Sequence, residues 1–494
     1  MAESLLRVEE VYKSFAGVKA LKGVSLDIAP GEIHCLAGEN GCGKSTLIKV
    51  ISGVYKPEGG TVYMDGKAYA KLTPIEAIQN GVQVIYQDFS IFPNLTVMEN
   101  LAFNSELANG RKLISWKRLR SIAEEAIAKI DLHIDLNARV GMLSVAEKQM
   151  IAICRALMSG AKLIIMDEPT TALTKKEVAA LFRVILDLKA QGISILFVSH
   201  KLNEVFEISE RFTILRNGEK VITGNTAELD AKMFAYYMTG REFEDTPFVA
   251  EVYNDKVVME AQKLSSHGSF EEVSFSLHKG EILGITGLLD SGRTELALAL
   301  FGIHPANSGQ LLVNGVPVTP KTPRKAIAAK IGYVPEDRLS EGLFLPRSIA
   351  DNIIISEIDR LTYGVGVLNR TKRNAEINKW VKELAIATPN PNNACSTLSG
   401  GNQQRIVLAK WLACNLDVLI LNGPTVGVDI GSKYDIHQIL RKLAKQGMAV
   451  IIISDDLPEV LTNCSTVMVM KAGKMVATLK PQETDEQALL EYMM

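Results

Sequence analysis

The stretch Gly38-Glu-Asn-Gly-Cys-Gly-Lys44-Ser45-Thr46 decides the fold of this chain. It follows the apolar segment 33–37 and precedes a helical pattern that opens at Thr46. Glycines at this spacing let backbone N–H groups curl around phosphate, the lysine reaches the β- and γ-phosphates, and the serine hydroxyl can ligate Mg²⁺. The dipole of the following helix adds to the attraction for phosphate. The stretch therefore predicts a strand–loop–helix unit, a P-loop, that binds nucleotide phosphates.

The same segment occurs a second time in altered form. Adding 249 to each number gives one set of counterparts: Gly38 and Gly287, Gly43 and Gly292, Lys44 and Arg293, and Ser45 and Thr294. Adding 255 gives a second set further along: Ser144 and Ser399, Asp167 and Asn422, Glu168 and Gly423, and His200 and Asp455. An aligned duplication that has lost a lysine, two carboxylates and a histidine predicts two nucleotide sites, of which only the first is chemically competent.

A chain of 494 residues is too long for one ordinary core, and the repeat divides it into two halves. We expect a first domain over 1–240, an acidic, solvated linker over 241–256 and a second domain over 257–494. An apolar fraction of 47% and a charged fraction of 22% are typical of a folded soluble protein. The net charge of −2 includes no basic excess, so we expect no nucleic-acid partner.

Cysteine usage and hydropathy exclude further classes of protein. The six cysteines form no CxxC pair and no metal-ligand spacing, which indicates reduced thiols that fill the core. The first residues lack a basic segment followed by an apolar one, so we expect no signal peptide. The apolar runs are much shorter than the roughly 18 residues that span a bilayer, so we expect no direct membrane insertion.

Apolar patterns predict the strands and helices of both halves. Alternating segments predict strands at 5–11, 24–28, 33–37, 273–277 and 282–285, and continuous runs predict buried parallel strands at 163–166, 193–198, 418–421 and 450–453. One helical face carries Ile122, Ala126, Ile127 and Ile130 in the first half and Ile377, Val381 and Leu384 in the second. A strand, a P-loop and a helix followed by further strands and helices predict an α/β P-loop domain, present twice.

Polar residues follow two of the predicted strands in the first half. Asp167 could hold Mg²⁺ as a Walker B aspartate does, and Glu168 is placed to orient or deprotonate an attacking water. The alternative is that both acids only cap or solvate the end of the strand. His200 lies where open α/β sheets place ligands, so it could bond the γ-phosphate or be a structural histidine. Gln87 alone is a weaker signal, because exposed glutamines are common.

In this order, the P-loop, Gln87, Leu143-Ser144, Asp167-Glu168 and His200 resemble the ATP-binding-cassette ATPases. In the second half, Leu398-Ser-Gly-Gly-Asn-Gln-Gln404 looks like the signature loop of that family. The altered P-loop from Gly287 to Leu296, Pro335-Glu-Asp-Arg338 and this loop are together similar to the second half of ATPase subunits of bacterial monosaccharide importers, of the ribose, galactose and xylose type. The resemblance covers nearly the whole chain.

The resemblance implies two tandem cassettes, each with a mainly parallel core sheet, an antiparallel β subdomain and a helical subdomain. It implies that ATP lies between one P-loop and the opposite signature loop. Implied catalytic residues are Glu168, His200, Gln87 and Lys44, and implied Mg²⁺ ligands are Ser45, Gln87 and Asp167. Implied ATP contacts are Phe15, Gly38, Glu39, Asn40, Gly41, Cys42, Gly43, Lys44, Ser45, Thr46, Ser399, Gly400, Gly401 and Asn402.

Three of these implied contacts can also be interpreted from the residues themselves. Phe15 would stack on adenine, although single aromatic residues are usually core. Gly400 and Gly401 precede an apolar helix, so they could let phosphate approach its N-terminus closely; the alternative is a simple loop bend.

The implied second site is degenerate. Its residues are Gly287, Gly292, Arg293 and Thr294, with Ser144 from the other half. The fork of Arg293 differs from a lysine point charge, Asn422 lacks a carboxylate for Mg²⁺ and Gly423 cannot activate water. Glu147 adds an acid to a signature loop that has lost its glycines. Since the resembled importers usually keep Asp-Glu at 422–423, binding of Mg-ATP at this site stays open, and we expect hydrolysis at the first site only.

The resemblance also implies partners and a place in the cell. The chain would be a peripheral protein on the cytoplasmic face of the inner membrane that drives uptake of a monosaccharide or similar small polar solute. It would work with two membrane-spanning permease subunits, as a homodimer, and a periplasmic or extracellular solute-binding protein. The apolar segment 88–95 and its counterpart 342–346 would contact the permease, or pack internally.

Two other functions remain open from the residues. One is a soluble tandem cassette that acts on ribosomes or other nucleic acid, for which we would expect a basic linker and two intact sites. The other is a regulatory ATP-binding module with little turnover, against which the intact Asp167, Glu168 and His200 set argues.

Overall fold

A computed structural model describes residues 4–15, 17–86, 90–108, 115–171, 173–242, 246–249, 254–363 and 366–494. The chain divides into two compact units, Met1–Phe243 and Glu244–Met494. Each unit contains one six-stranded sheet and one four-stranded sheet.

The first unit contains ten strands and eight helices among its described residues. In chain order they are β1 (Leu6–Phe15), β2 (Val18–Ile28), β3 (Ile33–Gly38), α1 (Lys44–Ile51), β4 (Gly59–Met64), β5 (Lys67–Tyr69), α2 (Pro74–Gln79), β6 (Val82–Ile85), α3 (Val97–Ala108), α4 (Trp116–Ala128), α5 (Val145–Met158), β7 (Leu163–Asp167), α6 (Lys175–Ala190), β8 (Ser194–Val198), α7 (Leu202–Ile208), β9 (Arg211–Arg216), β10 (Glu219–Asn225) and α8 (Ala231–Thr239).

The six-stranded sheet of the first unit has the order β10-β9-β3-β8-β7-β6 and is parallel except for β10. Strands β3, β7 and β8 are buried almost throughout, which explains why they are continuous apolar runs in the sequence. Leu36 and Asp167 each pair with Val198, so the carboxyl ends of these three strands lie side by side. Open parallel sheets bind their ligands at such an edge.

An antiparallel sheet and a group of helices complete the first unit. The sheet has the order β2-β1-β4-β5, and α3, α4 and α5 pack around a separate apolar cluster. Ala126 is buried in this cluster and Ile127 and Ile130 pack against it, as the helical spacing predicts. The predicted parallel core, antiparallel β subdomain and helical subdomain are therefore confirmed in this unit.

The second unit repeats this architecture. In chain order its strands and helices are β11 (Asn254–Ser266), β12 (Phe270–Lys279), β13 (Ile282–Gly287), α9 (Arg293–Phe301), β14 (Ser308–Val313), β15 (Val316–Val318), α10 (Pro323–Ala328), β16 (Ile331–Val334), α11 (Ile349–Ile354), α12 (Arg370–Glu383), α13 (Gly400–Leu412), β17 (Val418–Asn422), α14 (Ile430–Lys445), β18 (Ala449–Ile453), α15 (Leu457–Asn463), β19 (Thr466–Lys471), β20 (Lys474–Leu479) and α16 (Glu486–Met493). The sheets have the orders β16-β17-β18-β13-β19-β20 and β12-β11-β14-β15, which match the first unit strand for strand.

The segment expected to be a solvated linker differs from that expectation in two places. Phe248 is only 4% exposed, and its N–H donates to the carbonyl of Thr462 at 2.8 Å. Arg441 also donates to the carbonyl of Thr246 at 3.0 Å, and β11 already begins at Asn254. An apolar ring between acidic residues can thus be core, because composition averaged over a segment hides one buried side chain.

Two further findings concern the whole chain. Five of the six cysteines are buried, and Cys414 is half-buried. Among the residues that the structure describes, no helix combines the length and the apolar character needed to cross a bilayer.

Candidate functional site

The P-loop connects β3 to α1, and its glycines are required by the backbone. Gly41 has φ +82° and Gly43 has φ +111°, in the left-handed region that side chains disfavour. A Cβ atom on Gly43 would also lie 2.7 Å from the carbonyl oxygen of Ala20. Lys44 is 6% exposed, and its Nζ donates to the carbonyl of Gly38 at 2.7 Å, so the ammonium lies inside the loop.

An open cavity of about 220 Å³ lies over this loop. It is lined by Ala20, Asn40, Gly41, Gly43, Lys44, Ser45, Thr46, Asp167 and Glu168. The structure thus brings the P-loop and the acidic end of β7 together at one cavity. Of the other residues predicted for the first half, Gln87 lies outside the described residues.

Ser45 and Asp167 form a pair of oxygen donors at the base of this cavity. The Ser45 Oγ donates to Asp167 Oδ2 at 3.5 Å. Burial and the neighbouring Glu168 raise the pKa of Asp167, and Lys44 and Ser45 offset this only in part. A bound cation would favour the ionised form of Asp167. Hydroxyl and carboxylate oxygens are also ligands that Mg²⁺ accepts. These two residues therefore fit the predicted magnesium ion.

Glu168 and His200 form a second pair at the same edge of the sheet. His200 Nδ1 lies 3.1 Å from Glu168 Oε1, and because a carboxylate only accepts, Nδ1 carries the proton. This hydrogen bond lowers the pKa of Glu168 against the opposing effect of burial. Glu168 has φ +48°, a strained conformation for a residue with a side chain. An ionised, oriented carboxylate here has the chemistry of a general base.

Phe15 lies at the end of β1 and is 39% exposed, so it is not a core aromatic residue. The Tyr55 ring packs edge-on against it, with centroids 5.0 Å apart. Lys13 Nζ lies 5.2 Å from the centroid of the Phe15 ring. Tyr55 could not be predicted as a neighbour of Phe15, because nothing in its local sequence distinguishes it from other tyrosines. Stacking of Phe15 on adenine stays a prediction.

The two helices that follow the signature segments begin differently. In α5, Ser144 accepts from the N–H of Glu147 at 3.2 Å, and Glu147 Oε2 accepts from the N–H of Ser144 at 2.8 Å. The helix therefore neutralises its own N-terminus with a carboxylate. Within the described part of the chain, no side chain caps the N-terminus of α13 at Ser399. An anion can approach α13 but meets Glu147 at α5.

Gly400 and Gly401 lie in the first turn of α13 and not in a loop bend. A Cβ atom on Gly401 would lie 2.1 Å from Ser432 Oγ, and one on Gly400 would lie 2.7 Å from a guanidinium nitrogen of Arg338. The Ser432 side chain therefore requires glycine at 401, whereas at 400 the guanidinium of Arg338 would have to move aside. Asn402 Nδ2 donates to Ser399 Oγ at 3.0 Å, which fixes the residues of this turn relative to each other.

The second P-loop keeps the backbone of the first but not its chemistry. Gly287 ends β13, Gly292 has φ +91°, and Thr294 is the second residue of α9. Arg293 donates to the carbonyl of Gly287 and lies 3.8 Å from the exposed carboxylate of Asp455. Arg293 thus has an acidic neighbour within its own site, Asp455, at the position that His200 occupies in the first site.

The end of β17 also lacks the acids found at the end of β7. Asn422 is buried and hydrogen-bonded to Tyr333, and burial raises the pKa of that tyrosine to about 12. Gly423 has φ +55°, so the turn keeps the conformation of Glu168 without the carboxylate. The end of β17 therefore supplies neither of the two acids that the end of β7 places beside the first P-loop.

Comparison with known proteins gives the family. A model of the ABC transporter family matches residues 21–171 and 270–426. The ribose import ATP-binding protein RbsA of Bacillus licheniformis is 37% identical over 485 residues, 98% of each chain. That of Hahella chejuensis is 39% identical over 492 residues, 99% of this chain and 98% of its own. A putative ribose/galactose/methyl galactoside import ATP-binding protein 1 of Agrobacterium fabrum is 39% identical over 489 residues, 99% and 97% of the two chains.

Among solved structures, the ADP conformation of an ATP-binding cassette of an ABC transporter is 29% identical to this chain. It covers 47% of this chain and 94% of its own length, with a TM-score of 0.43.

The two segments that match the family model contain the two P-loops and the two strand ends described above. The relatives extend that similarity over nearly the full length, including the second half with its altered site. With its two units of the same strand order, each built around one P-loop, the chain belongs to the ABC transporter family.

Proposed function

We propose that this chain is the ATP-hydrolysing, energy-coupling subunit of an importer for a monosaccharide or a similar small polar solute. Relatives matched over nearly their whole length are named for the import of ribose or of ribose, galactose and methyl galactoside. The observation that carries the hydrolytic part is the contrast between the halves. Glu168 and His200 form a pair beside Lys44 in the first, while Gly423 and Asp455 stand at those positions in the second.

The residues of the first half divide the work of hydrolysis. Lys44 binds the β- and γ-phosphates, and Ser45 and Asp167 hold Mg²⁺ together with Gln87. When bound, Mg²⁺ neutralises charge that develops on the phosphates. Glu168 orients the attacking water and accepts its proton, and His200 holds the Glu168 carboxylate in place. Contacts of Phe15 and of Ser399, Gly400, Gly401 and Asn402 with ATP remain predictions from the family resemblance.

The second P-loop takes no part in bond cleavage in this proposal, although the signature loop of its half is predicted to contact the ATP of the first site. Arg293 retains a charge that can attract phosphate, but Asn422 and Gly423 stand where Asp167 and Glu168 would hold metal and activate water. One ATP is therefore hydrolysed per closure of the two cassettes, and that motion drives alternating access in the membrane subunits.

The proposed partners are two permease subunits, as a homodimer, and a periplasmic or extracellular solute-binding protein, with this chain on the cytoplasmic face of the membrane. Two exposed rings support paired docking, since Phe92 and Phe344 are each more than half exposed. Asn100 accepts from the N–H of Phe92 at 2.9 Å, and Asn352 accepts from that of Phe344 at 2.8 Å. Two loops presented alike suit two similar membrane subunits.

The variant Glu168→Gln tests the proposal. We expect ATP turnover to fall by roughly 10²–10⁴-fold, because the amide cannot accept the proton of water, while ATP affinity changes little. Asp455→Asn, at the counterpart of His200, serves as the control and should keep native turnover. In cells that depend on this chain, Glu168→Gln should also abolish uptake of radiolabelled ribose or galactose. Near-native hydrolysis by Glu168→Gln would refute the assignment, and unaffected uptake of both sugars would exclude ribose and galactose as substrates.

A further inference from the structure

Behind the Glu168–His200 pair, a buried carboxylate joins the two loops that carry these residues. Glu204 is the third residue of α7 and is 6% exposed. Thr170 Oγ1 donates to Glu204 Oε1 at 2.5 Å, and Ser199 Oγ donates to Glu204 Oε2 at 2.5 Å. Thr170 lies two residues after Glu168, and Ser199 immediately precedes His200. One side chain therefore holds both loops of the pair.

Lys201 donates a hydrogen bond to each of these two hydroxyl oxygens. Its backbone N–H donates to Ser199 Oγ at 3.1 Å, and its Nζ donates to Thr170 Oγ1 at 3.2 Å. Each hydroxyl has a single proton, and since a carboxylate can only accept, that proton goes to Glu204 while the hydroxyl oxygen accepts from Lys201. Lys201 Nζ also lies 3.0 Å from Glu204 Oε1, which balances the buried charge. The arrangement requires an acceptor on both oxygens, as only a carboxylate provides.

The contacts of Glu204 lie just beyond the last residues that pair between β7 and β8. The last paired residues of β7 and β8 are Asp167 and Val198, and the N–H of Glu168 donates to the carbonyl of Val198 at 3.1 Å. Beyond them, Glu168 takes the strained φ of +48° and the strands become loops. The 3.1 Å distance between Glu168 and His200 therefore depends on contacts outside the ladder, and Glu204 supplies the buried one.

The second half contains the same contact without the chemistry. Thr425, Ser454 and Glu459 occupy the positions 255 residues further on and are identical to Thr170, Ser199 and Glu204. Glu459 accepts from Thr425 at 2.7 Å and from Ser454 at 2.5 Å, and His437 takes the place of Lys201 at 2.7 Å. Since Gly423 and Asp455 replace the catalytic pair there, this second contact can serve only the fold.

We propose that Glu204 is a positioning residue for hydrolysis, which sets the Glu168–His200 geometry by tying Thr170 to Ser199. The inference rests on the proposed function of Glu168. Glu204 lies behind the pair and need not touch nucleotide, so it acts through Glu168 and His200. Displacement of a catalytic group by about 1 Å can cost 10²-fold in rate. Loss of the tie should therefore lower kcat and leave the P-loop unaffected.

The test compares Glu204→Gln with the matched variant Glu459→Gln in the full chain. We expect kcat for ATP to fall roughly 10–100-fold in Glu204→Gln, with KM within about threefold of native, since phosphate binding is untouched. Glu459→Gln should keep kcat within about twofold, although both variants lose one acceptor and thermal stability. Ser199→Ala, which removes one hydroxyl only, should lower kcat by a smaller factor and covers the case that Glu204→Gln does not fold.

Two results would overturn this inference: native kcat in both Glu204→Gln and Ser199→Ala, or an equal loss of kcat in Glu204→Gln and Glu459→Gln. The second would show that the contact acts on general stability. Glu168→Gln, measured alongside, separates the two proposals. If Glu168→Gln turns over normally, the proposed function fails; if it is inactive while the Glu204 and Ser199 variants are normal, only the positioning role fails.

Discussion

Glu168 and its counterpart Gly423 occupy equivalent positions in the two sites, but only Glu168 has a carboxylate. Both have a left-handed backbone, with φ of +48° and +55°. Glycine adopts this region freely, whereas a residue with a Cβ is destabilised there by about 1 kcal/mol or more. Since the turn keeps its conformation without the carboxylate, the turn imposes the strain. The first half retains a strained glutamate where glycine would fit better.

We therefore expect Glu168→Gly to be more stable than Glu168→Gln, although both are inactive. The gain should be about 1 kcal/mol, because both variants lose the carboxylate and only glycine relieves the backbone. Thermal and urea unfolding of the two variants measure the difference. The mirror variant, Gly423→Ala, should be destabilised, since its Cβ would lie 2.9 Å from Val426 Cγ2. Equal stability of Glu168→Gly and Glu168→Gln would contradict the strain argument.

At the scale of the element, the ends of β17 and β18 are joined through α15 by a buried carboxylate. Burial alone would raise the pKa of Glu459, but the hydrogen bond from His437 and the effects of His437, Lys433 and Ser454 together outweigh it and lower the pKa to about 2. An unfolded glutamate titrates at about 4.3. Because the folded value is the lower one, this group stabilises the fold fully above about pH 4.3 and loses that contribution as the pH falls toward 2.

The pH dependence of Glu459→Gln tests this element. Native protein should exceed the variant in unfolding free energy by up to about 3 kcal/mol at pH 6, and by about half as much near pH 3. Tryptophan fluorescence can follow the second unit, because Trp380 and Trp411 lie there and are buried, while Trp116 in the first unit is exposed. A difference that stays constant between pH 6 and pH 3 would show that Glu459 is not ionised in the folded unit.

At the scale of the molecule, the boundary between the halves is more structured than its composition suggests. Phe248 packs into the core of the second unit, and Arg441 donates to the carbonyls of Thr246 and Thr462. Residues 246–249 thus belong physically to the second unit. Acidic neighbours obscured this in the sequence, because one apolar residue in a polar stretch forms no periodic pattern.

Phe248→Ala should destabilise the second unit by about 3 kcal/mol, through lost burial and the cavity left behind. Val249→Ala is the matched control, because Val249 is 62% exposed and should change stability by less than about 0.5 kcal/mol. Urea unfolding followed by the fluorescence of Trp380 and Trp411 checks both. Equal effects of the two substitutions would place Phe248 outside the core.

Much of the fold follows from local sequence, and much of the first site follows from its motifs. The runs 163–166 and 450–453 predicted β7 and β18, since strands buried on both faces must be apolar throughout. The sequence could also place Asp167 and Glu168 at a strand end beside a P-loop. It could not reveal Glu204, whose partners lie 34 and 5 residues away and are ordinary hydroxyls. The only signal was its recurrence as Glu459 in the duplication.

The contrast between the N-termini of α5 and α13 gives the molecule an internal reference for spectroscopy. The amide of Ser144 is bonded to Glu147, whereas no described side chain caps the helix at Ser399. Both amides share one polypeptide, so hydrogen–deuterium exchange compares them at identical temperature, buffer and concentration. Added ATP analogue should slow exchange in the first turn of α13 relative to that of α5. The ratio of the two exchange rates then reports ligand contact at α13, because a change in the dynamics of the whole protein alters both rates.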